Sequence, residues 1–456
     1  MLMNKVAGRS GITVLIALAL LVGFGFFLAE YFTQAGEWAV FKGSPHVYNG
    51  SNIGCGLTTD RDGVLLLNLS GNRTYAADEV LRRATVHWVG DRKGSVSAPA
   101  LSNYASELSG YDLLSGLYSY GRTGGTAKLT LSAAVQAQAQ EAMGDYRGTV
   151  AVYNYKTGEI LCAVTTPNYD PDNIPQIDEN DPGEYEGLYV NRFTQSVYIP
   201  GSIFKIVTLA AALESIPDVQ KQSFRCNGSY KIGADTVTCE TAHGKQSLKQ
   251  AFCNSCNCAF AQLVEKLGKE KLQQYVEQFK VTQPVCFDGI TTASGTFEGG
   301  DAAMYNAAWS GIGQYTDQIN PCAFLKFVGA IAAGGKGVEP YLVGSISSDG
   351  IKTYSAKTKT DHRIMTETTA DTVASYMANN VQAKYGTEHF PGLTVCAKTG
   401  TGEVGGNKKP NAMLAGFVED EQYPWAFIVA VEDAGYGAAV CIPIISQVLE
   451  TCKQVF

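Results

Sequence analysis

Ser202 and Lys205 stand three residues apart, Ser255 and Asn257 flank Cys256, and Lys398 opens the string Lys398-Thr399-Gly400-Thr401. Serine is a weak nucleophile at neutral pH and needs a base within hydrogen-bond reach. A spacing of three puts Ser202 and Lys205 on one face of a helix, and the apolar run from Ile203 to Leu213 predicts that this helix is buried. Burial disfavours an ammonium ion, so Lys205 is expected as a free amine able to take the Ser202 proton. Pro200 and Gly201 place Ser202 at the helix start, where the dipole and free N–H groups favour the negative charge of acyl transfer. In Ser255-Cys256-Asn257 the hydroxyl can relay a proton, and the amide can hold a peptide carbonyl or the lysine. Alternation along an extended segment would point both side chains the same way. Leu393 to Ala397 predicts a short strand running into Lys398, with Thr399, Gly400 and Thr401 forming an edge where a substrate backbone can add.

Other strings look chemical and are read otherwise. Lys156-Thr157-Gly158 repeats the Lys-Thr-Gly pattern, but it lies between the apolar runs Thr149–Tyr153 and Glu159–Val164. That is a hairpin tip with no chemical role. Cys253, Cys256 and Cys258 suggest a metal knuckle. No second Cys-x-x-Cys accompanies them, and His46, His87, His243, His362 and His389 lack ligand spacing, so neither metal nor cofactor is expected. Cys226 and Cys239 flank a turn-rich excursion and are the expected disulfide pair. Cys162, Cys396 and Cys441, in apolar segments, read as small buried residues, and Cys256 as a packed thiol.

The elements that must carry these groups begin with a membrane segment. Ile12 to Ala29 is an apolar run of about 18 residues, just long enough to cross a bilayer. Lys5 and Arg9 precede it, which keeps the amino terminus cytoplasmic and exports the remainder. Phe26 to Glu30 supplies no clean cleavage site, so an uncleaved anchor is expected. A net charge of −8 argues against nucleic acid as a partner and against a polybasic membrane patch. Thr59 to Leu66 reads as an Asp-Gly turn feeding a strand, with Asp60 and Arg61 as a surface ion pair. Arg122 to Thr126 reads as a hinge. The expected organisation is a cytoplasmic stub and anchor at 1–30, a short pedestal at 31–125 and a catalytic domain at 126–456.

In this order and at these wide intervals the three groups resemble those of class B penicillin-binding proteins. Tyr198-Ile199-Pro200-Gly201-Ser202-Ile203-Phe204-Lys205 is similar to their active-site block, and the runs Gly148–Val150 and Thr166–Pro171 are similar to the sequence upstream of it. Leu129–Leu131 with Val135-Gln136, and Gly311–Gln314 with Asn320-Pro321 and Ala332–Gly335, extend the likeness over roughly residues 126–456. The resemblance implies an α/β (α+β) fold, an antiparallel sheet flanked by helices with a helical subdomain that carries Ser255. It also implies a peptidoglycan D,D-transpeptidase that cross-links stem peptides through a Ser202 acyl-enzyme, releases D-alanine and is acylated by β-lactams. Lys398, Thr399, Gly400 and Thr401 would bind the donor carboxylate, and the Ser202 and Thr401 N–H groups would form an oxyanion hole. Residues 31–125 are too few for a glycan-polymerising domain, so a membrane glycosyltransferase is the expected partner. Asn320-Pro321 in place of Thr-Pro, and Ala412–Ala415 where an aromatic pair often stands, depart from the pattern. A D,D-carboxypeptidase, a β-lactamase and a non-enzymatic β-lactam sensor or scaffold remain as alternatives. No sequence signature of a deacylation base supports the second.

Overall fold

The apolar run after Lys5 and Arg9 becomes the middle of one continuous helix, α1 (Leu2–Ala39), in the computed structural model, which describes residues 2–45, 47–49, 52–69, 73–112, 117–118, 124–178, 183–348 and 350–456. Its large apolar side chains, among them Leu15 and Phe26, are exposed all round, as a helix solvated by lipid requires. Beyond it the strands Leu57–Thr59 and Leu65–Asn68 form the hairpin expected around Gly63. Asp60 is not a surface ion-pair partner. It is buried, and its carboxylate accepts from the N–H groups of Asp62 and Val64, both at 2.8 Å, and of Ala133 at 2.9 Å. The carboxylate thus closes the turn and meets the positive end of the next long helix. Arg61 turns instead to Glu159, at 3.7 Å, and to the ring of Phe456. Of the expected hinge, Arg122 and Thr123 lie outside the described residues. Thr126–Leu129 runs parallel to Leu57–Thr59 and antiparallel to Val343–Ser348, in one six-stranded sheet.

A five-stranded antiparallel sheet carries the remainder. It comprises β1 (Gly148–Asn154), β2 (Ile160–Thr166), β3 (Val395–Gly402), β4 (Asn411–Val418) and β5 (Trp425–Val431), in the order β2-β1-β5-β4-β3. Apart from the Lys398–Gly402 end of β3, these strands are nearly continuous apolar runs because both faces are covered. On one face, Val150, Val152, Phe427 and Val429 pack under α2 (Ala133–Met143) and the C-terminal helix Gly437–Val455. The alternate residues Ala151, Tyr153, Ile428 and Ala430 face the helices Pro321–Ala332 and Glu367–Asn380. Cys162, Cys396 and Cys441 are fully buried in this core, as expected. Lys156 sits in the turn between β1 and β2, whose amides Lys156 N–H and Thr157 N–H are held by Asn154 Oδ1. Between the sheet segments the chain builds a helical region that includes α3 (Lys205–Ser215) and α4 (Asn257–Leu267), and β3 is the sheet edge that faces it.

Candidate active site

Ser202 lies in a 3₁₀ turn, Gly201–Phe204, that runs straight into α3, so Lys205 opens the α-helix proper. Gly201 adopts φ +55°, and a side chain there would run into the backbone of Thr401. The serine is thereby held against the β3 edge strand. Gly201 N–H donates to Gly313 carbonyl at 2.8 Å, which pins the turn from the other side.

Lys205 is fully buried, and its Nζ meets four oxygens. Ser255 carbonyl is at 2.7 Å, Asn257 Oδ1 at 2.8 Å, Ser202 Oγ at 2.9 Å and Ser255 Oγ at 3.2 Å. A neutral amine has two N–H donors and one lone pair. The Ser255 carbonyl and Asn257 Oδ1 accept the two donors, which leaves the lone pair for the Ser202 hydroxyl. Desolvation lowers the Lys205 pKa to about 8. A serine hydroxyl held on such an amine can be deprotonated as it attacks a carbonyl.

The Ser255 segment is not extended. Ser255 has φ +51°, Cys256 caps α4 and Asn257 is the first residue of that helix. The chain reverses within three residues, and both side chains still reach Lys205. Lys398 Nζ donates to Ser255 Oγ at 3.1 Å, so this one hydroxyl bridges the two lysines. Lys398 is buried too. Desolvation, then repulsion by Lys205, pushes its pKa well below the usual lysine range. The rings of Phe260 and Phe252 lie under the two lysine nitrogens and add to their burial.

Thr399, Gly400 and Thr401 line a groove of about 1280 Å³ together with Ser202, Ser255 and Asn257. Two supports were not legible in sequence. Tyr385, at the end of a π-helical turn, accepts from Thr399 N–H at 3.1 Å and pairs with Thr399 Oγ1 at 3.0 Å. Gln314 donates to Thr401 carbonyl at 3.0 Å. Asn320 is buried away from chemistry. It caps the helix Pro321–Ala332 and donates to the carbonyls of Thr194 and Ser196.

Cys226 and Cys239, the expected disulfide pair, are free thiols here. His243, which has no ligand spacing in the sequence, is not isolated from the cysteines in space. His243 lies with Cys226, Cys239 and Cys256 in one cluster, brought together by strand pairing that no short spacing announces.

A family model described as the penicillin binding protein transpeptidase domain matches residues 148–450. The chain belongs to that family. Peptidoglycan D,D-transpeptidase PbpA of Mycolicibacterium smegmatis is 30% identical over 354 residues, covering 70% of this chain and 71% of that protein. Among solved structures, the D,D-transpeptidase domain of a peptidoglycan glycosyltransferase from Eggerthella lenta is 26% identical with a TM-score of 0.75, covering 88% of this chain and 98% of that one. Penicillin-binding protein A of M. tuberculosis, solved as its penicillin G acyl-enzyme, has a TM-score of 0.76 at 24% identity over 88% of this chain and 99% of that one, a likeness of fold. The expected fold class is therefore the observed one. For a penicillin-binding protein whose serine is paired to a buried amine, the acylation rate should climb as pH rises through about 8 and then level off. Stopped-flow acylation by a β-lactam across pH 6 to 10 measures this, and a flat profile would remove Lys205 as the base.

Proposed function

We propose that this penicillin-binding protein is a peptidoglycan D,D-transpeptidase in which Ser202 is the nucleophile and Lys205 its base. The observation that carries the reading is the single hydrogen-bonded group formed by Ser202, Lys205, Ser255, Asn257 and Lys398 beside the β3 edge. Ser202 Oγ attacks the carbonyl between the two terminal D-alanines of a stem peptide, and its proton passes to Lys205. The oxyanion is met by the N–H groups of Ser202 and Thr401. Collapse breaks the C–N bond, and Ser255 hands a proton from the lysines to the departing D-alanine amine. An amine from a second stem then attacks the ester and gives a proton to Lys205, the ester C–O bond breaks, and Lys205 returns that proton to Ser202 Oγ. Lys398, Thr399 and Thr401 hold the donor carboxylate, whose negative charge favours the ammonium form that burial disfavours at Lys398, and Gly400 lets the substrate backbone approach. β-Lactams enter by the same attack.

In this reading α1 is a single-pass anchor with Lys5 and Arg9 on the cytoplasmic side, residues 31–125 are the pedestal and 126–456 the catalytic domain. Glycan polymerisation falls to a separate membrane glycosyltransferase. The full-length protein, incubated in detergent with a stem peptide ending in D-Ala-D-Ala and an amine acceptor, should release D-alanine together with the cross-linked product, read by mass spectrometry. D-Alanine without cross-linked product would make it a carboxypeptidase, and neither would make it a scaffold.

The two Lys-Thr-Gly strings allow an internal control. Lys398→Ala should slow acylation by about 10²-fold or more. Lys156→Ala, in the β1–β2 turn, should stay within about threefold. The opposite ranking would move the carboxylate site.

A further inference from the structure

Three thiols and an imidazole meet beside the catalytic groove. Cys226 ends the strand Ser223–Cys226, Cys239 follows Asp235–Thr238, His243 precedes Gly244–Ser247 and Cys256 caps α4. Strand Ser223–Cys226 pairs with Gly244–Ser247, so the excursion folds back on itself as a flap and delivers three of the four to one point. Their ligand atoms all lie within 4.8 Å of one another. Cys239 Sγ is 3.5 Å from His243 Nδ1 and 4.0 Å from Cys256 Sγ. Tetrahedral zinc with usual bond lengths sets sulfur–nitrogen and sulfur–sulfur separations of about 3.5 and 3.8 Å.

We propose that Cys226, Cys239, His243 and Cys256 form a Cys₃His site for a structural zinc ion that fastens the flap to the Ser255–Asn257 loop. The surroundings suit it. His243 Nε2 lies 3.3 Å from Thr241 Oγ1, a partner that fixes the tautomer with Nδ1 turned to the ion. Ala259 N–H donates to Cys256 Sγ at 3.4 Å, and the N-terminus of an eleven-residue helix favours a thiolate there. Binding a divalent ion displaces the three thiol protons, including the one Cys226 gives to Thr241 carbonyl, and leaves one net negative charge. A soft, three-thiolate set selects zinc over magnesium or calcium. Four protein ligands close the coordination sphere, so the ion takes no substrate. A Cys226–Cys239 disulfide would use two of the four groups and leave Cys256 and His243 converging for no purpose.

The ion would reach catalysis through position. Cys256 stands between Ser255 and Asn257, and Asn257 Nδ2 donates to the carbonyl of Thr238, next to Cys239. Both residues that orient Lys205 are therefore tied to the clamp.

The test is metal analysis of the full-length protein purified in detergent without chelator, which reads the site whether or not the acyl-transfer reading holds. The expected result is about one zinc per chain, falling at least about fivefold in Cys239→Ser and in His243→Ala and unchanged in Cys253→Ser and Cys258→Ser. Cobalt exchanged into the wild type should give the visible bands of a tetrahedral thiolate site. Because a ligand variant can lose its fold, the wild type is also stripped with chelator. Acylation by penicillin should then fall at least about tenfold and return with zinc. Protein that takes up no zinc on dialysis, a Cys226–Cys239 disulfide in the peptide map, stoichiometric iron or copper instead of zinc, or zinc kept by both ligand variants would each overturn the proposal.

Discussion

Ser202→Ala is expected to abolish covalent labelling by a fluorescent penicillin, lowering acylation by at least about 10³-fold, with the circular dichroism spectrum and melting point close to wild type. The structure makes this a sharp test because it offers a second hydroxyl. Ser255 Oγ lies 3.2 Å from Lys205 and 3.1 Å from Lys398, so proximity to an amine does not by itself choose the nucleophile. Position does. Ser202 sits where the 3₁₀ turn meets the Thr401 backbone, the place where the proposed oxyanion hole would stand. Ser255 is held between two lysines in a left-handed bend. Removing the Ser202 oxygen deletes one partner of Lys205 and leaves three, so the stability cost should be about 1 kcal/mol or less. Ser255→Ala should slow labelling yet leave the adduct on Ser202. Persistent labelling of Ser202→Ala, with the adduct mapped to Ser255, would reverse the two roles.

How much of this was legible in the sequence differs from element to element. Thr149–Tyr153 and Glu159–Val164 announced strands because buried strands are apolar throughout, and Gly158 announced the turn between β1 and β2. The residues proposed for catalysis could be picked out because Ser202 and Lys205 share one local spacing and Ser255 and Asn257 another, and the structure brings all four together. What was lost lay in contacts between distant segments. Asp60 looked like a surface charge because the helix start at Ala133 that it receives is 73 residues away. Tyr385 gave no signal, since its hydroxyl serves a strand 14 residues on through a π-turn that no periodicity predicts. The Cys226–Cys256 cluster failed for the same reason. Its ligands come from strand ends whose pairing sets the geometry, whereas a search by short spacing sees only Cys253, Cys256 and Cys258. Thr126–Leu129 read as the start of the catalytic domain, yet it also pairs with Leu57–Thr59, in the segment expected to be a separate pedestal.

The penicilloyl adduct on Ser202 should persist for minutes to hours in water, and this separates a transpeptidase from a β-lactamase that would acylate through the same Ser202 and Lys205. Turning over the ester requires a base that reaches it directly or through one water. Among the described residues that line the groove, the carboxylates are Glu240 and Glu403, and both are exposed to solvent. Lys205 is held toward Ser202 Oγ by the Ser255 carbonyl and Asn257 Oδ1, so it serves the serine and whichever nucleophile reaches the ester, and no second base is dedicated to water. An acceptor amine differs from water because its peptide can bind along the groove and bring the nitrogen to the ester at high effective concentration. A peptide-derived acyl-enzyme should therefore release product faster with an amine-bearing stem peptide than with water alone. Intact-protein mass spectrometry after a penicillin pulse, followed by dilution into buffer with and without the stem peptide, reads both rates. Recovery of free enzyme from penicillin within seconds would make the protein a β-lactamase, and indifference of the peptide acyl-enzyme to the amine would make it a carboxypeptidase.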